Sequence, residues 1–210
     1  MTIQDILKKY WGFSHFRDVQ EDIIISVLSG KDTLALLPTG GGKSVCFQVP
    51  ALAKDGICIV ISPLIALMKD QVANLTAKGI KAVAIFSGMS KQEIDMAIDN
   101  CVYGNIKFLY VSPERLNTDI LMVRVTKMNV NLLAVDEAHC ISQWGYDLRP
   151  QYLRIAAFRA LIPAVPVLAL TATATPPVVD DICDKLAFKE KNIFQKSFER
   201  TNLSYSVLFE

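Results

Sequence analysis

The sequence has almost no net charge, only two histidines and no long uninterrupted apolar run. Its 22 basic and 21 acidic residues give a formal net charge of +1, so any nucleic-acid surface must be local. The longest apolar region, residues 57–68, is broken by Ser62 and Pro63 and is too short to span a bilayer. Residues 1–5 lack a signal-peptide pattern. We therefore expect an intracellular, cytoplasmic protein with no membrane partner.

Cysteine is present but shows no pairing pattern. The five residues are odd in number, and none forms a C-x-x-C pair. We interpret them as reduced thiols, several of them buried, and see no metal site built from protein groups alone. With 210 residues, of which 51% are hydrophobic, the chain can bury a sizeable core in one large domain or two small ones.

Short apolar runs alternate with helical patterns along the chain. Strands are predicted over residues 33–37, 57–61, 82–86, 106–111, 132–135 and 165–170. Helices are predicted over residues 20–28, 43–53, 64–78, 91–100, 151–161 and 177–186. This order predicts an α/β fold with a mainly parallel sheet, helices on both faces and right-handed crossovers. Ligands bind such sheets at the carboxyl ends of the strands.

Residues 38–44, directly after the first strand, contain the parts of a phosphate-binding loop. Glycine lets the backbone bend sharply, and the bent loop can turn its N–H groups toward an anion. Lys43 would reach the β- and γ-phosphates of a nucleotide, and the Ser44 hydroxyl would ligate Mg²⁺. The P-loop pattern has glycine where Leu37 stands, so this segment alone also allows an ordinary glycine-rich turn. The candidate loop contacts are Thr39, Gly40, Gly41, Gly42, Lys43 and Ser44.

Two adjacent acids follow the apolar strand 132–135. Asp136 is expected to hold Mg²⁺ through water, and Glu137 to polarise the attacking water. Either carboxylate alone could instead cap a helix or occupy its first turn. The phosphate loop upstream in the same chain favours the catalytic interpretation.

Together these residues resemble a superfamily-2 helicase, and further segments are similar to the RecQ family of DNA helicases. Those segments are residues 11–20, 61–72, 110–116, 140–150 and 169–175. The resemblance runs from about Tyr10 to Tyr205. It implies a RecA-like P-loop NTPase domain at residues 1–200, with residues 201–210 starting the connection to a second RecA-like lobe. The 210 residues are then a piece of a longer protein.

The resemblance assigns roles to individual side chains and implies ATP and Mg²⁺ as cofactors. Gln20 would pair with the N6 and N7 edge of adenine, with Phe13 stacking on the ring and Arg17 in support. Phe13 and Phe16 could instead be ordinary core residues.

The resemblance also implies contacts with single-stranded DNA and a duplex junction. Ser62 and Ser112 each stand before a proline, which is also the preferred chemistry for starting a helix. Tyr146 and Leu148 depart from the residues most frequent in the family's aromatic-rich loop, which leaves the strength of DNA coupling open. The residues assigned to DNA contact or coupling are Ser62, Ser112, His139, Trp144, Arg149, Thr171 and Thr173.

The resulting interpretation is the N-terminal ATP-binding lobe of a RecQ-like, 3′-to-5′ ATP-dependent DNA helicase. The isolated lobe is expected to be nearly inactive, since the second lobe would supply the arginine fingers. Two alternatives are a superfamily-2 RNA helicase lobe and a nucleotide-regulated binding module without turnover. The loop 142–150 argues against the RNA helicase, and the intact Lys43, Asp136 and Glu137 argue against the module.

Overall fold

The computed structural model describes residues 1–17, 19–145 and 147–196. The helices in these ranges are α1 (Ile3–Trp11), α2 (Gln20–Leu28), α3 (Lys43–Ala53), α4 (Ile65–Ala77), α5 (Lys91–Tyr103), α6 (Asp119–Val125), α7 (Ile155–Ala160) and α8 (Pro176–Lys185). The strands are β1 (Thr33–Leu36), β2 (Ile57–Ile61), β3 (Ala82–Ile85), β4 (Phe108–Val111), β5 (Val130–Val135), β6 (Val167–Thr171) and β7 (Asn192–Gln195). Short 3₁₀ helices cover Pro113–Arg115, Ala138–Ile141 and Pro150–Arg154. The predicted connection at residues 201–210 lies outside the described residues.

The described strands form one sheet in the order β3-β4-β2-β5-β6-β1-β7, and every neighbouring pair is parallel. The predicted α/β, RecA-like architecture is therefore confirmed. Because all the strands run the same way, their carboxyl ends meet at one edge, where the phosphate loop and Asp136 emerge.

Successive strand residues pack into two apolar cores, one on each face of the sheet. Leu34 and Leu36 belong to the core covered by α5, α6, α7 and α8. Ala35 and Leu37 belong to the core covered by α2, α3 and α4. Burial on both faces explains why the strands are continuous apolar runs rather than alternating ones.

The structure corrects several predicted elements. α1, α6 and β7 were not predicted, although α1 begins with a capping box in which Thr2 and Asp5 bond each other's backbone N–H. The helix predicted over 151–161 is a 3₁₀ turn followed by the shorter α7. The strands predicted to start at residues 106 and 165 each start two residues later.

Two further observations concern the cysteines and the apolar character of the helices. The five cysteines are free and buried. None of the helices in the described ranges is both long enough and apolar enough to cross a membrane.

A buried ion pair joins the start of β1 to α7. It lies at the end of the sheet opposite the phosphate loop. Asp32 Oδ2 lies 2.6 Å from Arg159 Nη2, and both side chains are almost completely buried. Asp32 also accepts hydrogen bonds from the N–H groups of Val167 and Lys189. Arg159 Nη1 donates to the carbonyl of Ala187, just after α8. The pair therefore ties together β1, α7, β6 and the segment that leads to β7.

We expect Asp32→Ala to lower the free energy of unfolding by about 3–5 kcal/mol, because Arg159 would remain buried without its carboxylate partner. Asp180→Ala is the matched control, since the Asp180 side chain is 64% exposed in its pair with Lys191. The free energy of unfolding of this control should fall by about 1 kcal/mol or less. Urea titrations followed by circular dichroism measure both variants. Equal losses would contradict an anchoring role for the buried pair.

Candidate functional site

The loop between β1 and α3 has the backbone shape of an anion-binding turn. Gly40 and Gly42 have φ angles of 78° and 74°, in the left-handed region that favours glycine. At Gly41, a Cβ would lie 2.8 Å from the carbonyl oxygen of Pro38, so a side chain would force the loop to shift. Gly42 is the N-cap of α3, and no side chain among the described residues caps the helix. The Val45 N–H donates to the Gly42 carbonyl, which leaves the amide groups of Lys43 and Ser44 for an anion.

A cleft of about 200 Å³ lies between this loop and the carboxyl ends of β2 and β5. Ser62 also borders it. Its buried hydroxyl makes no hydrogen bond of good geometry to the described residues, although it favours the charged form of the nearby Asp136 carboxyl group. A wider groove of about 770 Å³ beside α5 contains none of the predicted nucleotide ligands. The smaller cleft is the candidate site because it gathers six of them: Thr39, Gly40, Lys43, Ser44, Asp136 and Glu137.

Asp136 is a buried acid at the end of β5. Burial, and then the neighbouring Glu137 carboxylate, raise its pKa to about 6, while Lys43 opposes the shift. Its backbone is held from two directions, since its N–H donates to the Ile61 carbonyl and the Tyr152 hydroxyl donates to its own carbonyl. A cation in the cleft would stabilise the charged form of this carboxyl group.

Glu137 has a backbone conformation that is uncommon for a residue with a side chain. Its φ and ψ are 48° and 46°, in the left-handed region. Its N–H donates to Asp136 Oδ1 at 3.0 Å. Its carboxylate lies 3.8 Å from Lys43 Nζ and 3.4 Å from His139 Nδ1. This turn places the second acid beside the lysine of the phosphate loop.

His139 connects the acids to the end of β6. Its Nδ1 lies 2.9 Å from the Thr171 hydroxyl oxygen. That hydroxyl donates to the Thr173 carbonyl and accepts from the Thr173 N–H. Hydrogen bonds thus join the segment after β5 to the end of β6, and the 3.4 Å contact between His139 Nδ1 and Glu137 Oε2 extends this connection to the second acid.

Gln20 lies against the phosphate loop. Its Oε1 accepts a hydrogen bond from the Arg17 N–H at 2.8 Å, and its Nε2 donates to the carbonyls of Gly41 and Gly42 at 3.2 Å. Phe13 is 47% exposed, and the Arg17 guanidinium lies 5.5 Å from its ring centroid. The three predicted adenine contacts are therefore neighbours, and Phe13 is not a core residue.

The loop after Asp136 and Glu137 is anchored to α8. The Ser142 hydroxyl donates to Asp181 Oδ2 at 2.7 Å and accepts from the Trp144 N–H at 3.1 Å. Lys185 Nζ donates both to Asp181 and to the Ile141 carbonyl. The Trp144 side chain itself is 67% exposed. The backbone of the loop is held in place while its tryptophan ring faces solvent.

The far side of this loop folds back over Cys140. The Arg149 N–H donates to the Cys140 carbonyl at 2.9 Å. The Arg149 guanidinium donates to Asp147 Oδ2 through Nε and Nη2, at 3.1 and 2.9 Å. Burial raises the pKa of the Cys140 thiol to about 12, so it is neutral. Leu148 is exposed, and Tyr146 lies outside the described residues.

The two predicted serine N-caps have different outcomes. The prediction is wrong for Ser62, because α4 begins at Ile65 and its N-cap is Leu64. Ser112 is an N-cap with proline after it, as predicted, but the helix is the 3₁₀ helix Pro113–Arg115 and no capping bond from the hydroxyl is found among the described residues. Both hydroxyls are buried without a hydrogen bond of good geometry to the residues that the structure describes, and Ser62 borders the candidate cleft. Their contact with DNA stays a prediction.

Three residues outside the predicted set hold the site together: Tyr152, Asp181 and Asp147. The contacts of Tyr152 and Asp181 span 16 and 39 residues of sequence, so no local pattern indicated them. Asp147 stands two residues before Arg149, and this opposite-charge spacing was the one available signal.

Comparison with known proteins places these groups in a family context. The chain is 47% identical over 208 residues to the ATP-dependent DNA helicase RecQ of Bacillus subtilis, covering 98% of this chain and 35% of that protein. It is 42% identical over 206 residues to the Haemophilus influenzae protein of the same name, covering 98% and 33%. The chain therefore spans about a third of the length of these relatives.

A solved structure, the DUF1998 helicase MrfA bound to DNA, has the same fold. The TM-score is 0.73 at 18% identity, over 92% of this chain and 29% of that one. The sequence profile of DEAD/DEAH box helicases matches residues 17–182, which include the phosphate loop, both acids and the threonine segment. The chain belongs to the DEAD/DEAH box helicase family, and its resemblance to RecQ DNA helicases extends over nearly its whole length.

Proposed function

We propose that this chain is the ATP-binding lobe of a RecQ-like DNA helicase that moves 3′ to 5′ on single-stranded DNA. The observation that carries the proposal is the convergence of Lys43, Ser44, Asp136 and Glu137 on one cleft in a chain of the helicase family. Residues 1–200 would form the lobe, and 201–210 would lead to a second lobe. We also propose a cytoplasmic location, because a DNA helicase acts inside the cell.

The donor groups around the cleft suit ATP with Mg²⁺. Ser44 offers a hydroxyl oxygen and Asp136 a carboxylate oxygen that would act through water, and such hard oxygen ligands are those Mg²⁺ prefers. Bound MgATP would supply the phosphoryl group, with the metal neutralising the charge that develops on it. Lys43 would hold the β- and γ-phosphate oxygens. Glu137 would orient and polarise the attacking water.

Adenine recognition would involve the cluster of Phe13, Arg17 and Gln20. The Gln20 amide offers one donor and one acceptor, which match N7 and the N6 amino group of adenine. Since both ends of this amide now bond the backbone, adenine binding would exchange hydrogen bonds rather than add them. The exposed Phe13 ring offers a face for stacking.

DNA would be sensed by the loop that carries Trp144. An exposed indole ring can stack on an unpaired base, and Arg149 adds a cation nearby. The hydrogen bond between His139 and Thr171, with those between Thr171 and Thr173, would couple the nucleotide cleft to movement of the second lobe. Ser62 and Ser112 would need a local shift to expose their hydroxyls to phosphates.

Lys43→Ala is expected to abolish MgATP binding, because the charge that holds the β- and γ-phosphates is removed. Glu137→Gln is the matched variant: it should keep the affinity, and in the full-length protein it should lose turnover in a steady-state ATPase assay, since its expected role is to activate water. Isothermal calorimetry measures both affinities. Unchanged affinity in Lys43→Ala would contradict the site assignment. Turnover retained by Glu137→Gln would contradict the role of Glu137.

The wild-type chain should bind ADP more tightly than GDP by roughly 1–3 kcal/mol, the value of one bidentate base contact. Gln20→Ala should reduce this difference between the two nucleotides. Because Gln20 also bonds the phosphate loop, the absolute affinity for both can fall, so the ratio is the informative quantity. Equal wild-type affinities for ADP and GDP would rule out adenine selection by Gln20.

The 210-residue chain should hydrolyse ATP very slowly and show little stimulation by single-stranded DNA. Arginine fingers of the kind expected from a second lobe are worth on the order of 10³–10⁵ in rate. In the full-length protein, Trp144→Ala should depress DNA-stimulated hydrolysis far more than basal hydrolysis. Steady-state ATPase titrations with single-stranded DNA test both statements. Robust DNA-stimulated turnover by the 210-residue chain would show that it is not a half-enzyme.

A further inference from the structure

We propose that His139, Cys140 and Asp147 form a zinc-binding site beside the nucleotide cleft. Among the His, Cys, Asp and Glu residues that the structure describes, these form the one group of three whose ligand atoms all lie within 4.8 Å of one another. They offer a ring nitrogen, a sulfur and a carboxylate oxygen, which is a donor set that Zn²⁺ takes in proteins. Water would complete a four-coordinate site.

The distances between the donor atoms suit a tetrahedral zinc ion. Zn–S and Zn–N bonds of about 2.3 and 2.0 Å at tetrahedral angles place the two donors about 3.6 Å apart. Cys140 Sγ lies 3.8 Å from His139 Nε2 and 3.8 Å from Asp147 Oδ2. The two distances from Cys140 Sγ to the other donor atoms therefore need to shorten by only a few tenths of an ångström. The third distance, between the ligand atoms of His139 and Asp147, is at most 4.8 Å and would shorten by movement of the exposed Asp147 side chain.

The hydrogen bonds of His139 leave the correct nitrogen for a metal. The Thr171 hydroxyl has one proton, which it donates to the Thr173 carbonyl. His139 Nδ1 must then be the donor to Thr171, so in the neutral imidazole the Nε2 lone pair is free and lies toward Cys140. Metal-ligating histidines are oriented in this way by a partner on the other ring nitrogen.

Zinc at this position would join the catalytic segment to the loop of Trp144. His139 and Cys140 directly follow the acids, whereas Asp147 stands on the far side of the loop that Arg149 closes over Cys140. At Asp147 Oδ2 the metal replaces the Arg149 guanidinium, and the thiol proton of Cys140 is released. Zinc would therefore hold the loop against the cleft and free Arg149.

Titration of the 210-residue chain with Zn²⁺ against a chromogenic chelator tests the site. One ion per chain is expected, with an affinity that Cys140→Ser and Asp147→Asn each weaken by about 10-fold or more. The Asp147 side chain is half exposed, so its substitution leaves the core untouched. The controls are Cys101→Ser, a buried thiol on α5, and the exposed Asp180→Asn, which should both bind zinc like the wild type.

Two spectroscopic readouts report on the ligands directly. Co²⁺ in place of Zn²⁺ should give a thiolate-to-metal charge-transfer band that Cys140→Ser abolishes. Zn²⁺ should also change the tryptophan fluorescence in a way that Trp144→Phe removes, because the metal would bind within the loop that carries Trp144. The proposal is overturned if micromolar Zn²⁺ does not bind. It is equally overturned if Cys140→Ser and Asp147→Asn bind as the wild type does, or if Cys101→Ser loses as much affinity as Cys140→Ser.

Discussion

The parallel pairing of β1 with β6 is the constraint on which the rest of the site depends. Its register places Leu36 opposite Thr171, and the Leu37 N–H continues the ladder to the Thr171 carbonyl at 3.1 Å. The phosphate loop therefore starts beside the threonine segment. β5 pairs with the other side of β6, which brings Asp136 to the same edge. The cleft is thus a product of strand order, and each of its walls comes from a different part of the sequence.

Local electrostatics at this edge contrast with the near-neutral chain. A buried acid with a raised pKa, a second acid in a left-handed backbone conformation and a lysine lie within one small cleft. Each of these features costs folding free energy, which the apolar cores on both faces of the sheet offset. The proposed polyphosphate and its cation would compensate the charges of these groups. Function and instability therefore coincide at the same few residues.

The parts of the fold that could be predicted are those encoded in contiguous residues. The glycine loop and the acid pair are local motifs, and strands buried on both faces appear as apolar runs. β7 could not be found in this way, because it has four residues and half-exposed positions. The capping role of Ser62 failed because α4 starts two residues later than that role requires, after Leu64, whose backbone is extended. The approach of Asp147 to Cys140 depends on a hydrogen bond that closes an entire loop, which no short pattern reveals.

β7 also gives the phosphate loop a mechanical connection to residue 196. β7 lies parallel to β1 from Thr33 to Leu36, and the Lys196 N–H donates to the Leu36 carbonyl at 3.1 Å. Tension along the chain at this point loads the ladder in shear, so several hydrogen bonds share the force instead of breaking one at a time. The force would act on Leu36, two residues before the loop begins at Pro38. A displacement at residue 196 would therefore be transmitted through the pairing of β7 with β1 to the start of the phosphate loop.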